Sequence, residues 1–148
     1  MAKNVSPVII YKNGLYTLEQ SAECAVPGYL VLRLKGPETS LAGLATEQAK
    51  ALGEALSRAV RAIEQAAGAD RVYILSFCEV ERRLHFHLFP RTAWLLREYR
   101  KANGGESEAI NGPLLFEWAR KTFVPGHPLP AGTPGRGTVS GTLREKLQ

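Results

Sequence analysis

The stretch from Arg83 to Leu88 constrains the fold most, because apolar and polar residues alternate along it. Such alternation is typical of a β-strand, whose successive side chains point to opposite faces of a sheet. We expect one face of this strand to be buried and the other to face solvent. The expected buried face consists of Leu84, Phe86 and Leu88, and the opposite face of Arg83, His85 and His87. Pro90 has no N–H to donate, so we expect it to end the strand pairing.

The two imidazoles on one strand face limit the chemistry that this surface can perform. His85 and His87 would lie about 7 Å apart along the strand. Imidazole acts as a nucleophile, acid, base or metal ligand because its unperturbed pKa is ~6.5. Three interpretations are open: an ordinary solvated strand face, a zinc site, and a site for a nucleotide phosphate. Zinc requires a third ligand, but His127 lies in a segment rich in Gly and Pro, and no spacing supports Cys24 or Cys78.

The sequence Leu-His-Phe-His-Leu-Phe-Pro-Arg, from Leu84 to Arg91, resembles the signature strand of the histidine-triad nucleotide hydrolases and transferases. The family pattern is His-apolar-His-apolar-His-apolar-apolar, often followed by Pro-Arg. With Pro-Arg aligned, His85 and His87 match the second and third histidines, whereas Arg83 replaces the first. A second departure lies at residues 78–81, where Cys-Glu-Val-Glu stands in place of a Gly-Gln-Ser/Thr stretch.

This resemblance implies an activity and a set of site residues. The middle histidine of the family attacks the α-phosphate of a nucleotide, so His85 would form a nucleotidyl-histidine intermediate. His87 would donate to a phosphate oxygen. Arg83 would be a permanent phosphate clamp that cannot readily protonate a leaving group. The candidate substrate contacts are Glu19, Ser21, Ser76 and Arg91.

The same resemblance implies a homodimer and substrates of the diadenosine polyphosphate or nucleoside phosphoramidate type. Two alternatives stay open beside it. The protein could bind nucleotides with little or no turnover, or it could hold a metal at its His-x-His site. We expect no cofactor, no bound metal and no nucleic-acid partner.

The order of predicted elements indicates an α+β fold of the histidine-triad type. It would have an antiparallel sheet of about five strands, one long helix packed on the sheet, and short C-terminal helices. Asn13-Gly14 between two apolar runs predicts a hairpin. Thr46 and Gly68 are suitable as the N-cap and C-cap of an amphipathic helix. The run from Val72 to Cys78 is apolar nearly throughout and predicts a central strand. The similarity to the family covers about residues 8 to 91.

The composition changes near residue 125. Nine of the seventeen residues from 125 to 141 are Gly or Pro, which is typical of an extended tail or a long loop. We therefore predict a histidine-triad-like domain over residues 1–124 and a Gly/Pro-rich C-terminal tail over residues 125–148.

The overall charge and the cysteines bear on partners and location. The net charge of +5 suits an anionic ligand such as a nucleotide. The sequence contains no run of 18 apolar residues, so we expect no membrane helix. Its two cysteines form no Cys-x-x-Cys motif and predict reduced thiols in a cytoplasmic protein.

Overall fold

The computed structural model describes residues 7–105 and 109–148, and within them five strands and four α-helices. The strands are β1 (Val8–Lys12), β2 (Tyr16–Gln20), β3 (Leu30–Leu34), β4 (Ala69–Leu75) and β5 (His85–Thr92). The helices are α1 (Thr46–Ala67), α2 (Ala93–Asn103), α3 (Gly112–Thr122) and α4 (Arg136–Leu147). A short 3₁₀ turn at Leu41–Gly43 precedes α1. The predicted α+β fold class is confirmed.

The five strands form one antiparallel sheet in the order β1-β2-β3-β5-β4. The histidine strand β5 is therefore a central strand. The prediction that the run after Val72 is central was wrong, because β4 lies at the edge of the sheet. The apolar composition of β4 has a different explanation, because both faces of the strand contact a core. Val72 packs beneath α1, whereas Tyr73 and Leu75 pack on the other face of the sheet.

The prediction that Pro90 ends the strand was also wrong, because β5 continues to Thr92. Pro90 lies opposite Val72 of β4, whereas the pairing of β5 with β3 already ends at Leu88. At Pro90 the strand has a neighbour on one side only, and a missing N–H is tolerated on an unpaired side. Thr92 then caps α2, with its Oγ1 accepting a hydrogen bond from the Leu95 N–H at 3.3 Å.

The first core lies between one face of the sheet and helices α1 and α4. Leu84, Phe86 and Leu88 are buried there, as the alternation predicted. Helix α1 begins at Thr46, but its N-cap is Ala45, whose N–H donates to the Gln48 side chain at 2.8 Å. Gly68 ends α1 in the left-handed conformation, with φ of 67°, as predicted from its place after the helix.

A second core covers much of the opposite face of the sheet, under α2 and α3. Tyr29, Val31 and Phe89 of the sheet pack there against Leu115 and Phe116 of α3. The face that carries His85 and His87 is therefore not the open, solvated face that we expected. The histidines lie at the border of this core.

The C-terminal segment consists of an irregular part and a helix. Residues 125–135 are irregular, but residues 136–147 form α4, which packs on α1 and β1. Val139, Leu143 and Leu147 recur every four residues and are buried in the first core. Their burial outweighs the roughly 1 kcal/mol that each glycine costs a helix. The region from residue 125 is thus a loop followed by a core helix rather than a tail throughout.

Within the described part of the chain, no helix is both long enough and apolar enough to cross a membrane.

Candidate functional site

The pairing register of β2, β3 and β5 places the residues of the candidate site next to one another. Arg33 of β3 lies opposite His85, and Val31 lies opposite His87. On the other side of β3, Glu19 of β2 lies opposite Val31. Directly opposed residues point to the same face of a sheet. Three strands therefore bring a guanidinium, a carboxylate and two imidazoles onto one small surface.

A cavity of about 470 Å³ opens over this surface. Its walls come from β2, β3, β5, the segment after β2, the segment between β4 and β5, and α3. The polar side chains that matter for chemistry here are Glu19, Ser21, Arg33, His85, His87 and Arg120.

His85 is buried, with 9% of its surface exposed, and its ring is oriented by the backbone. Nδ1 lies 2.8 Å from the carbonyl oxygen of Arg83. A carbonyl can only accept, so Nδ1 carries the hydrogen and Nε2 of the neutral ring keeps its lone pair. The Cys78 Sγ lies 3.6 Å from the same Nδ1. This is the tautomer in which Nε2 can act as a nucleophile.

His87 has a different partner and a different role. Its Nδ1 lies 2.6 Å from the buried Tyr29 hydroxyl. Burial, helped by the neighbouring His85 and Arg120, lowers the pKa of His87 to about 4, so the ring is neutral at pH 7. Burial also raises the pKa of the Tyr29 phenol well above its usual range, so the phenol keeps its proton. When the phenol donates to Nδ1, the remaining hydrogen of His87 is on Nε2 and can serve an anion.

Two arginines that the sequence analysis did not select line the cavity. Arg33 donates through Nε to Glu19 at 2.9 Å. Arg120 of α3 forms an ion pair with Glu23 and lies 5.5 Å from the ring centroid of Phe116. The alternation of β3 already places Arg33 on one face with Tyr29 and Val31, so pairing β3 with β5 would have identified it. Arg120 lies far along the sequence in a helix, and no local pattern indicates it.

The predicted substrate contacts Glu19 and Ser21 do line the cavity. Glu19 is held by Arg33, as described above. Ser21 is buried, and its Oγ accepts a hydrogen bond from the Glu23 N–H at 3.3 Å. Helix α4 reaches this segment as well, because Arg136 donates to the Ser21 carbonyl oxygen at 2.9 Å.

The structure places three other predicted residues outside this cavity. The Arg83 side chain is 65% exposed and pairs with Glu81 at 3.3 Å, because β5 begins only at His85 and Arg83 lies in the preceding bend. Ser76 donates to the His85 carbonyl oxygen at 2.7 Å, which ties the segment between β4 and β5 to the histidine strand. Arg91 lies four residues beyond His87, opposite Arg71 of β4.

No group of three His, Cys, Asp or Glu residues within residues 7–105 and 109–148 is arranged to hold a metal ion. The His-x-His pair on β5 has the hydrogen bonds described above instead.

No protein-family model matches this sequence, and no curated protein matches it. Solved structures do match the fold. A histidine triad protein from Bradyrhizobium japonicum is 17% identical, with a TM-score of 0.62 over 96% of this chain and 91% of its own. A hypothetical histidine triad nucleotide-binding protein from Sulfolobus tokodaii is 13% identical, with a TM-score of 0.62 over 97% of this chain and 85% of its own.

A zinc-bound histidine triad family protein from Mycobacterium smegmatis is also similar. It is 15% identical, with a TM-score of 0.59 over 97% of this chain and 86% of its own. These matches extend over nearly the whole chain. The chain therefore has the histidine-triad fold.

Proposed function

We propose that the protein is a nucleotide hydrolase or transferase that acts at the α-phosphate of a nucleotide derivative through a nucleotidyl-His85 intermediate. The observation that carries the proposal is the hydrogen bond from His85 Nδ1 to the Arg83 carbonyl. It leaves the Nε2 lone pair for attack, in a cavity that also holds His87 and two arginines. The fold supports the same conclusion, because a protein described as nucleotide-binding shares it.

The reaction proceeds in two displacements at phosphorus. His85 Nε2 attacks the α-phosphorus, a P–N bond forms, and the bond from phosphorus to the leaving group breaks with its electron pair on the leaving atom. Water then attacks the same phosphorus and gives up a proton to the solvent, the P–N bond breaks with its electron pair on His85 Nε2, and the nucleoside monophosphate is released with His85 regenerated. Another nucleophile in place of water makes the reaction a transfer.

The charge that develops on the phosphate oxygens is stabilised by donors already in place. Arg33 lies directly across from His85. It donates a hydrogen bond to Glu19 through Nε, which is one of the five N–H groups of a guanidinium. His87 offers Nε2–H, and Arg120 adds positive charge at the cavity wall. Preorganised donors of this kind are usually the largest contribution to catalysis. Glu19 and Ser21 are the groups we assign to the ribose hydroxyls. Ser76 and Arg91, which lie outside the cavity, are not assigned to the substrate.

The decisive experiment looks for the covalent intermediate. The p-nitrophenyl ester of AMP is mixed with excess protein, the reaction is quenched, and mass spectrometry locates the adenylyl adduct. We expect the adduct on His85 in the wild type and none in His85→Asn. His127→Asn is the matched control, because His127 is exposed and lies outside this cavity. An adduct that survives in His85→Asn rules out the mechanism.

A nucleotide-binding protein with little turnover is the second candidate. One observation favours it: neutral His87 and the exposed Arg83 leave no obvious acid to protonate a poor leaving group. Calorimetry shows whether AMP binds, and the adduct experiment shows whether chemistry follows. Binding without any adduct or released mononucleotide selects this candidate. We further propose a cytoplasmic location, which suits the free thiols Cys24 and Cys78.

A further inference from the structure

Helix α4 reaches the histidine site through a small cluster of polar side chains. Gln20, at the end of β2, and Ser140 of α4 are both buried, and their side chains lie 3.0 Å apart. Arg136, the first residue of α4, donates to the Ser21 carbonyl oxygen at 2.9 Å. When the Gln20 amide nitrogen donates to Ser140, its oxygen accepts from Arg136 Nε at 2.6 Å. One guanidinium then bridges the last residue of β2 and the residue after it.

Packing, rather than a charge partner, sets the position of this guanidinium. Val139 and Leu143, about one and two turns further along α4, are buried in the first core. Among the residues that the structure describes, no carboxylate lies within ion-pair distance of Arg136. Hydrogen bonds from an ionised donor are roughly twice as strong as those between neutral groups. The helix therefore holds a strong donor against the chain where it leaves β2.

Ser21 connects this contact to the residues of the site. Its N–H donates to the Tyr29 carbonyl oxygen at 2.9 Å, which extends the pairing of β2 and β3 by one residue. Directly opposed residues point to the same face of a sheet, so the two side chains share the histidine face. Burial raises the pKa of the Tyr29 phenol, and a hydrogen bond with the Ser21 side chain opposes this effect.

The hydrogen bonds along this row can run in one direction. The Glu23 N–H donates to Ser21 Oγ at 3.3 Å, so the Ser21 hydroxyl keeps its own hydrogen for the Tyr29 oxygen. The phenol then has its single hydrogen left for His87 Nδ1, which lies 2.6 Å away. A displacement of Ser21 would free the phenol to turn, and His87 would lose its fixed donor.

We propose that Arg136, on a helix that packs against the other face of the sheet, is a positioning residue for His87. It holds the Ser21 carbonyl, the Ser21 hydroxyl orients the Tyr29 phenol, and that phenol keeps the hydrogen of the imidazole on Nε2. Ser21 also lines the cavity, so the same contact sets where a substrate hydroxyl meets it. The effect on turnover rests on the proposed function, whereas the effect on the His87 tautomer does not.

Arg136→Met and Arg144→Met provide a matched pair for the test. Both arginines belong to α4 and donate to a backbone carbonyl, but Arg144 donates to Ile9 of β1, at 3.2 and 3.1 Å, and lies outside the cavity. We expect the nitrogen NMR shifts of His87, which report its tautomer, to move in Arg136→Met and not in Arg144→Met. For the p-nitrophenyl ester of AMP, kcat/KM should fall about tenfold in Arg136→Met alone, because a small misplacement far from the chemistry can cost that much.

Further variants separate positioning from stability. Arg136→Lys keeps one donor for the carbonyl and loses the second arm of the fork, so its His87 shifts should lie between those of the wild type and Arg136→Met. If thermal unfolding shows that Arg136→Met does not fold, Arg136→Lys against Arg144→Lys repeats the comparison. In a Tyr29→Phe background, Arg136→Met should move the His87 shifts no further, because the hydroxyl that carries the effect is already absent.

The outcomes separate the inference from the function on which it rests. His87 shifts that are the same in the wild type and Arg136→Met overturn the inference, and equal displacements in Arg136→Met and Arg144→Met do so as well. Shifts that move while kcat/KM for the ester stays unchanged refute a role in the reaction. If the wild type does not turn over the ester, the proposed function fails, and the NMR comparison alone decides whether Arg136 positions His87.

Discussion

His85 and His87 have the same ring but different hydrogen-bond partners, and the partners decide what each can do. A backbone carbonyl accepts from Nδ1 of His85, whereas a buried phenol contacts Nδ1 of His87. A carbonyl can only accept, so His85 carries its hydrogen on Nδ1; when the Tyr29 phenol donates to Nδ1 of His87, His87 carries its hydrogen on Nε2. One ring therefore offers a lone pair and the other an N–H.

We therefore expect Tyr29 to act as a positioning residue for His87, and Tyr29→Phe tests this. Removal of the hydroxyl leaves Nδ1 without its donor, so the tautomer of His87 is no longer fixed. We expect kcat to fall about tenfold with a smaller change in KM, as for loss of part of one transition-state donor. Nitrogen NMR shifts of His87 report the tautomer directly. Tyr73→Phe is the control, because Tyr73 also packs in the second core and stacks on Phe89. Unchanged His87 shifts in Tyr29→Phe would contradict this role.

The half-buried ring of His87 also makes stability depend on pH. Its pKa is about 4 in the folded protein against an ordinary value of 6.5. Between these values the unfolded chain binds a proton that the folded protein does not, so stability falls as the pH drops through this window. We expect His87 to lower the free energy of unfolding by about 1–2 kcal/mol between pH 7 and pH 5. Urea unfolding at both pH values checks this, with His87→Asn lacking that part of the loss. The same pH dependence in both proteins would show that His87 is not its source.

At the scale of elements, the sequence predicted what a single segment determines by its own pattern. The alternation of β5 and the amphipathic period of α1 both place the expected apolar residues in the first core. The other face of β5 was expected to be solvated, but it borders the second core. The position of β4 depends on which strand it pairs with, and an apolar run does not reveal that. The first half of α4 was missed, because its glycines suggest a loop, and only a terminal helical turn from Leu143 was expected. The sequence does not show that α1 and β1 pack against this helix and bury its apolar side chains.

Helix α4 is expected to carry a substantial part of the stability, which Leu143→Ala tests. Leu143 has 0% of its surface exposed in the first core, and such truncations leave a cavity that typically costs about 2–5 kcal/mol. Leu114→Ala is the matched control, because Leu114 is 52% exposed. Urea unfolding measures both. Equal free energies of unfolding for the two variants would mean that α4 does not belong to the core.

At the scale of the whole molecule, the site was predictable only in part. His85 and His87 stand together in the sequence, so their strand and face could be predicted from it. Arg33 and Arg120 join them only because strands pair across the sheet and α3 folds back over the cavity. Arg83 lies outside the cavity for a local reason, because it lies in the bend before β5 and pairs with Glu81.

The open edge of the sheet leads to the last prediction, which concerns assembly. In the part of the chain that the structure describes, β4 pairs with β5 alone, so its outer backbone groups have no sheet partner. Ile74 on this edge is 48% exposed and lines a groove together with Leu56 and Val60 of α1. The other walls of this groove are Ser57, Arg61 and Glu64. Unprotected edges and exposed apolar patches favour pairing with another chain.

We therefore expect a homodimer formed through the β4 edge, and Ile74→Lys should disrupt it. The lysine replaces the exposed apolar contact of Ile74 with a charge that must lose its hydration when a partner covers it, which disfavours association. Sedimentation velocity should show a dimer for the wild type and a monomer for Ile74→Lys. Leu41→Lys provides the control, because Leu41 is 59% exposed in the turn before α1 and does not line the groove. A wild type that stays monomeric at high concentration, or an Ile74→Lys variant that dimerises as well as Leu41→Lys, would show that β4 is not the interface.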